Sequence, residues 1–115
     1  MEFKDLIVYQ KALQVNKDIS IHILSIRELD KSLKDQLRRA SLSIVLNIAE
    51  GSSRFSPADR KNFFVIARGS AFECAAILDV ISTANGSDFP IILDLLAEIS
   101  KILFKMISTL QIVKK

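Results

Sequence analysis

The sequence has few of the residues that form turns, cross-links and metal sites. Among its 115 residues are three glycines, two prolines, one cysteine and one histidine, and there is no tryptophan. So few turn-forming residues argue against a fold of many short strands and favour a few long elements. Cys74 has no partner for an intrachain disulfide, and Cys74 with His22 supplies too few ligands for a structural zinc site. We therefore predict no metal and no cofactor.

Long uncharged runs are also missing. No stretch of about 18 residues lacks charge, and no apolar leader follows Met1, so we predict a cytoplasmic protein that makes no membrane contact. A chain of 115 residues suffices for one domain, over residues 1–115. Its mean hydropathy of +0.30 is high for so small a protein. We therefore expect a second copy of the chain to cover part of the apolar surface.

The spacing of apolar residues predicts four helices. They cover about residues 5–25, 31–50 and 57–84, with the last from Ser87 or Asp88 onward. Asp30 is the expected N-cap of the second helix, and Gly51 is expected just beyond its end as a left-handed residue. Four long helices with short connections predict an all-α fold, an up-down-up-down four-helix bundle.

Several side chains are expected to serve the core of this bundle. Phe63, Phe72 and Phe104 lie at helical spacing among aliphatic neighbours, which predicts that they are chiefly core residues. Cys74 lies beside two alanines and is interpreted as a small core residue. His22 is expected to be partly buried and structural.

A polar row runs along the second helix opposite its apolar stripe. Its members recur at steps of three and four: Ser32, Gln36, Arg39, Ser43, Asn47, Glu50 and Arg54. A solvated face is the simpler interpretation, but apolar residues flank the row, as in a helix buried on most sides. Gly69 lies in the middle of the predicted third helix. A glycine in such a position often allows another backbone to approach closely. We predict a packed polar contact, within one chain or between subunits, that involves Asn47, Glu50, Gly69 and Glu73.

Catalysis by these carboxylates is not expected. General acid–base chemistry needs a cleft and usually a nucleophile or a metal, and the sequence shows none of these. The glycines are isolated from one another, so no phosphate-binding glycine loop is present. We therefore predict that the protein is not an enzyme.

Positive charge is concentrated in the middle of the sequence. Residues 27–68 contain nine Lys and Arg against five acidic residues, within a chain whose net charge is +3. The candidates for contact with nucleic-acid phosphates are Arg38, Arg39, Arg54, Arg60 and Lys61. Phe55 lies among the last three of them. It either stacks on an unpaired base or closes the end of the bundle.

Several motifs resemble a known family. The runs Gln36-Leu37-Arg38-Arg39-Ala40 and Ser43-Ile44-Val45-Leu46-Asn47-Ile48-Ala49-Glu50-Gly51 resemble the signature of the four-helix-bundle proteins linked to intervening sequences in 23S ribosomal RNA. Phe3-Lys4-Asp5-Leu6 and Arg68-Gly69-Ser70 fit the same family, so the resemblance covers nearly the whole chain. The sequence departs from it at Val45, where members often carry proline.

The resemblance implies an up-down bundle that assembles as a ring-like homopentamer. It also implies kinship with the accessory protein of diversity-generating retroelements, a basic pentamer that works with a reverse transcriptase and RNA. The net charge of +3 is a departure from those strongly basic proteins. The leading hypothesis is a homo-oligomer that binds structured RNA or an RNA-handling partner through its basic surface. The alternative is an oligomeric protein-interaction scaffold with no nucleic-acid role.

Overall fold

The fold is all-α, as the sequence predicts. The computed structural model describes residues 1–114, with side chains as far as Gln111. A short 3-10 turn precedes four helices, which are α1 (Ile7–His22), α2 (Lys31–Ser53), α3 (Pro57–Asn85) and α4 (Pro90–Lys114).

The helices form an up-down-up-down bundle. Each packs against two neighbours, α1 on α2, α2 on α3, α3 on α4 and α4 on α1, while neither diagonal pair brings Cα atoms within 8 Å of each other in the described residues. The bundle measures 49 × 25 × 22 Å, so the long axis follows the helices. None of the helices in the described part of the chain combines the length and apolar character needed to cross a membrane.

Local sequence signals account for several helix ends. The Asp30 carboxylate accepts a hydrogen bond from the Leu33 backbone N–H at 3.2 Å and so caps α2. The Ser56 hydroxyl accepts one from the Asp59 N–H at 3.1 Å, with proline at the first position of α3. Gly86 ends α3 in the left-handed conformation, with φ of 75°. The predicted starts of α2 and α3, at residues 31 and 57, and the predicted end of α3 near residue 84 are confirmed.

Facing apolar stripes of all four helices form one core. Its largest fully buried side chains include Ile19, Leu37, Ile44, Ile48, Phe64, Leu78, Ile81, Ile99 and Leu103. Cys74 is also fully buried among them, as predicted. The polar row of α2 lies beside this core, where α2 packs against α3. The candidate site is described from this α2–α3 contact and from the turn that joins the two helices.

The end of α2 differs from the prediction. The helix continues through Gly51 to Ser53, and Gly51 is a buried helical residue instead of a left-handed terminus. A Cβ atom on Gly51 would lie 2.6 Å from Cε1 of Phe64. The glycine is therefore required by the close approach of a core ring, which helix-ending rules alone do not reveal.

The prediction that Phe63, Phe72 and Phe104 are chiefly core residues was wrong. Phe64 is the buried aromatic of α3, whereas Phe63 is half-buried and Phe72 and Phe104 are exposed. The 3.6-residue period places Phe63 and Phe64 about 100° apart, so only one of them can point at the core. His22, expected to be partly buried, is exposed at the last turn of α1.

Candidate nucleic-acid interface

The turn between α2 and α3 presents an aromatic ring to solvent. Only residues 54–56 separate the two helices, and Arg54 at the end of α2 has extended backbone angles. This geometry turns Phe55 away from the core, and its side chain is fully exposed. Phe55 therefore does not close the end of the bundle. An exposed phenylalanine gains nothing from folding, which leaves its ring free for a contact outside the chain.

Two arginines border this turn, and Lys61 follows them on α3. The Arg54 guanidinium pairs with the Glu50 carboxylate at 2.9 Å and also lies 4.6 Å from the centre of the Phe63 ring. Arg60 Nη1 donates a hydrogen bond to the Arg54 carbonyl at 3.4 Å, which links both ends of the turn. Lys61 is half-buried one residue further along α3. The structure thus brings Arg54 and Arg60 together beside Phe55.

The other two predicted phosphate contacts lie elsewhere. Arg38 and Arg39 are exposed near the middle of α2, and Arg38 pairs with Asp35 at 2.9 Å. Arg39 precedes Ser53 by fourteen residues, which corresponds to about 21 Å along the helix. The five cations therefore form two separate groups, one at the turn and one along α2.

The polar row of α2 meets α3 at a pair of serines. The Ser43 and Ser70 hydroxyl oxygens are 2.8 Å apart, and either can donate the hydrogen bond between them. The Asn47 side-chain amide donates to the Ser43 hydroxyl at 3.0 Å and to the Ser43 carbonyl at 2.9 Å. The row is therefore an interhelical contact at its centre, as buried polar groups require partners. Ser70 was missed from the sequence, although it adjoins Gly69.

A polar cleft of about 350 Å³ opens between α2 and α3 next to this serine pair. Its lining consists of Gln36, Arg39, Ala40, Ser43, Ser70 and Glu73. Arg39 and Glu73 contribute opposite charges to the cleft, and no ion pair joins them within the described residues. The cleft offers both a cation and an anion to a contact from outside the chain.

The predicted four-residue polar contact does not form within one chain. Asn47 bonds to Ser43, and Glu50 pairs with Arg54. Glu73 is exposed at the cleft, and Gly69 faces solvent, where a Cβ atom would have no neighbour within 4 Å. The alternative, a contact of these residues between subunits, stays a prediction.

Exposed apolar residues surround Gly69 on the outer face of α3. Val65, Ile66 and Val80 each leave roughly half of their surface accessible. We call Gly69 and these three residues the α3 face. Glycine inside a helix costs about 1 kcal/mol relative to alanine, and no packing within the chain requires it here. The α3 face thus has the composition of a contact surface with an open centre.

The titratable groups of the described residues include one with a strongly shifted pKa, the thiol of Cys74. No group of three or more His, Cys, Asp or Glu side chains in residues 1–111 is placed to hold a metal ion. Burial, together with the nearby Glu73 carboxylate, raises the pKa of the Cys74 thiol from 9.0 to about 12. A thiol of that pKa stays protonated at neutral pH and is a poor nucleophile.

Most of the chain matches the sequence model of a known protein family. The sequence model of the family described as 23S rRNA-intervening sequence protein matches residues 4–108. The chain belongs to this family. The match includes all of α1, α2 and α3 and most of α4, so the resemblance in its motifs is confirmed. None of the curated proteins compared with the chain matches it.

A solved structure supports the fold of this 23S rRNA-intervening sequence family member. It is the crystal structure, at 1.70 Å resolution, of a protein with unknown function from the S23 ribosomal protein family of Bacteroides thetaiotaomicron VPI-5482. The two share 24% sequence identity with a TM-score of 0.79, over 88% of this chain and 98% of the other. At that identity the likeness establishes the four-helix fold.

Proposed function

We propose that this protein is a non-enzymatic homo-oligomer that binds structured RNA at the turn between α2 and α3. The observation that carries the proposal is the fully exposed ring of Phe55 beside the Arg54 and Arg60 side chains. A protein that recognises unpaired bases of RNA stacks them on exposed aromatic rings and neutralises the neighbouring phosphates with cations. The turn offers both groups within seven residues.

The two groups of cations contact different parts of the RNA. Arg54, Arg60 and Lys61 neutralise phosphates next to the base that stacks on Phe55. Arg38 and Arg39 lie about 20 Å away along α2 and contact a more distant part of the same RNA. Such a spacing favours folded RNA, whose backbone passes the protein more than once, over a short single strand.

Association of copies supports this function because it repeats the basic surface. The α3 face, with Gly69 at its open centre, is the proposed contact between subunits. Asn47, Glu50 and Glu73 on the adjoining polar seam fix the register of that contact. The homopentamer implied by the family resemblance is the assembly that we propose. It carries five turns, and therefore multiplies a net charge of only +3 per chain.

A protein-interaction scaffold with no nucleic-acid role is the second candidate. It is favoured by the large apolar side chains that stay exposed in one chain, among them Ile66 and Phe72. Salt separates the two candidates, because phosphate contacts weaken steeply as salt rises whereas an apolar protein interface does not.

The test is an RNA titration at low and at physiological salt with protein of known oligomer mass. The variant Arg54→Ala, Arg60→Ala, Lys61→Ala removes three cations at the turn. The matched control Lys4→Ala, Lys17→Ala, Arg27→Ala removes three exposed cations elsewhere. Loss of three phosphate contacts should make the salt dependence shallower, so that the negative slope of log affinity against log salt decreases in magnitude by about 2. Equal weakening in both variants, or no RNA binding at low salt, would refute the proposal.

A further inference from the structure

The guanidinium of Arg68 is held in place without an anion. It lies over the rings of Phe72, at 4.8 Å, and Phe104, at 5.4 Å, so that it bridges α3 and α4. Its Nε atom is buried and has no hydrogen-bond partner among the described residues, and Arg68 joins no ion pair there. The two rings are 55% and 59% exposed, which leaves this arrangement at the surface. The buried Nε atom is closed to other molecules, so an anion from outside would pair with the terminal Nη atoms of Arg68, which join no ion pair among the described residues.

A shallow apolar groove continues from this site between α3 and α4. It encloses about 320 Å³, and its lining includes the small residues Ala71, Ala75, Ala97 and Ser100 between Phe72 and Lys101. Small side chains on both helices lower the floor and leave room for apolar side chains from outside. The dimensions suit a row of leucine-sized groups presented by one face of a helix.

Charge varies along this groove. Lys101 and Lys105 are exposed on α4 at the Arg68 end, whereas Asp79 on α3 and Asp94 on α4 are exposed toward the other end. Asp79 lies eleven residues beyond Arg68, or about 16 Å along α3. An occupant whose acidic residues lie at one end would therefore bind in a single orientation.

We propose that the α3–α4 groove binds an amphipathic helix of another protein, with apolar residues in the groove and a carboxylate paired with Arg68. Nucleic acid fits less well, because the Arg68 guanidinium already covers a face of each ring and the groove lining is mainly apolar, with Ser100 and Lys101 as its polar side chains. The site is separate from the turn at Phe55. Peptide binding in the groove does not depend on RNA binding at the turn, so failure of one proposal leaves the other untouched.

The test uses the full chain and labelled synthetic helical peptides, read by fluorescence anisotropy. Each peptide carries leucine at positions i, i+3 and i+7 and glutamate near one end, and a panel varies where the glutamate lies. Matched peptides have glutamine in place of glutamate. The protein variants are Arg68→Gln, which removes the charge, Phe104→Ala, which removes one ring, and the control Lys17→Gln on α1. Thermal melts and light scattering establish that each variant keeps its fold and its mass.

The expected result is that a glutamate peptide binds more tightly than its glutamine match. Arg68→Gln should weaken the glutamate peptide at least tenfold and remove the preference for glutamate, while Lys17→Gln should change neither. Should Arg68→Gln fail to fold, Phe104→Ala must reduce affinity for both peptides. The proposal is overturned if no peptide of the panel binds, if Arg68→Gln and Phe104→Ala leave binding unchanged, if the variants lower the oligomer mass, or if labelled oligouridine binds in an Arg68-dependent way in place of the peptides.

Discussion

Gly51 in α2 and Phe64 in α3 pack so closely that a side chain at residue 51 would collide with the ring. A Cβ atom on Gly51 would lie 2.6 Å from Phe64 Cε1 and 2.8 Å from a second atom of the ring. Gly69, the other helical glycine, has nothing within 4 Å of the same position. Packing within the chain therefore requires glycine at residue 51, whereas it does not require glycine at residue 69.

Gly51→Ala should destabilise the chain although alanine favours helices. The ring of Phe64 is fully buried and must shift to admit the methyl group, and overpacking of this kind costs about 1–3 kcal/mol. Urea unfolding measures the change, with Gly69→Ala as the matched control. Gly69→Ala should leave the free energy of unfolding of one chain unchanged or raise it by up to about 1 kcal/mol. Equal effects of the two substitutions would contradict the close packing at Gly51.

Gly69→Leu should reduce the oligomer mass without unfolding the chain. A leucine has room in the isolated bundle, because the space beside Gly69 is empty, but it would fill the centre of the α3 face. Light scattering gives the mass and circular dichroism the helix content. Ser20→Leu, at an exposed residue of α1, is the control. A Gly69→Leu protein that keeps the parent mass would show that copies do not meet at this face.

The serine pair should contribute measurably to the α2–α3 contact. Ser70→Ala leaves the Ser43 hydroxyl without its partner on α3, and losing such a hydrogen bond costs about 1 kcal/mol. A double-mutant cycle with Ser43→Ala isolates the pairwise part, which should be about 0.5–1.5 kcal/mol. Ser53→Ala, whose hydroxyl donates only to the Glu50 carbonyl, is the control. Additive effects would contradict a direct bond.

Cys74 should make stability fall at alkaline pH. Its pKa is raised to about 12 in the folded chain from an ordinary value of 9.0, so the folded state holds the proton more tightly than the unfolded state. The contribution to stability is complete below pH 9 and is lost as pH rises toward 12. Urea unfolding of the parent protein and Cys74→Ala at several pH values measures this. Parallel declines in the two proteins would contradict the raised pKa.

Much of the fold was predictable because helix boundaries depend on local chemistry. Asp30, Ser56 and Gly86 act within a few residues of their own positions, so the sequence alone reveals them. Gly51 and the phenylalanines depend instead on which residue of another helix they meet. The step from Phe63 to Phe64 is only one residue, and the choice between them is made by three-dimensional packing.

The candidate site was only partly predictable for the same reason. The polar row of α2 marked the seam with α3, but Ser70 and the cleft at Glu73 required the relative placement of two helices. Phe55 is a candidate because of its cationic neighbours, and its full exposure excludes one of the two roles considered for it, closure of the bundle end. The contact between Arg68 and Phe104 could not be predicted from the sequence, because it joins residues far apart along the chain.

The most direct test of RNA binding at the α2–α3 turn is the affinity of Phe55→Ala and Phe55→Trp for RNA with unpaired bases, at physiological salt. Removing the ring should weaken binding about 5- to 150-fold, while tryptophan should preserve it because its ring also stacks. Thermal stability should not change, since the Phe55 side chain makes no buried contact. If Phe55→Ala binds RNA as tightly as the parent protein, bases do not stack at this turn and the proposed interface is wrong.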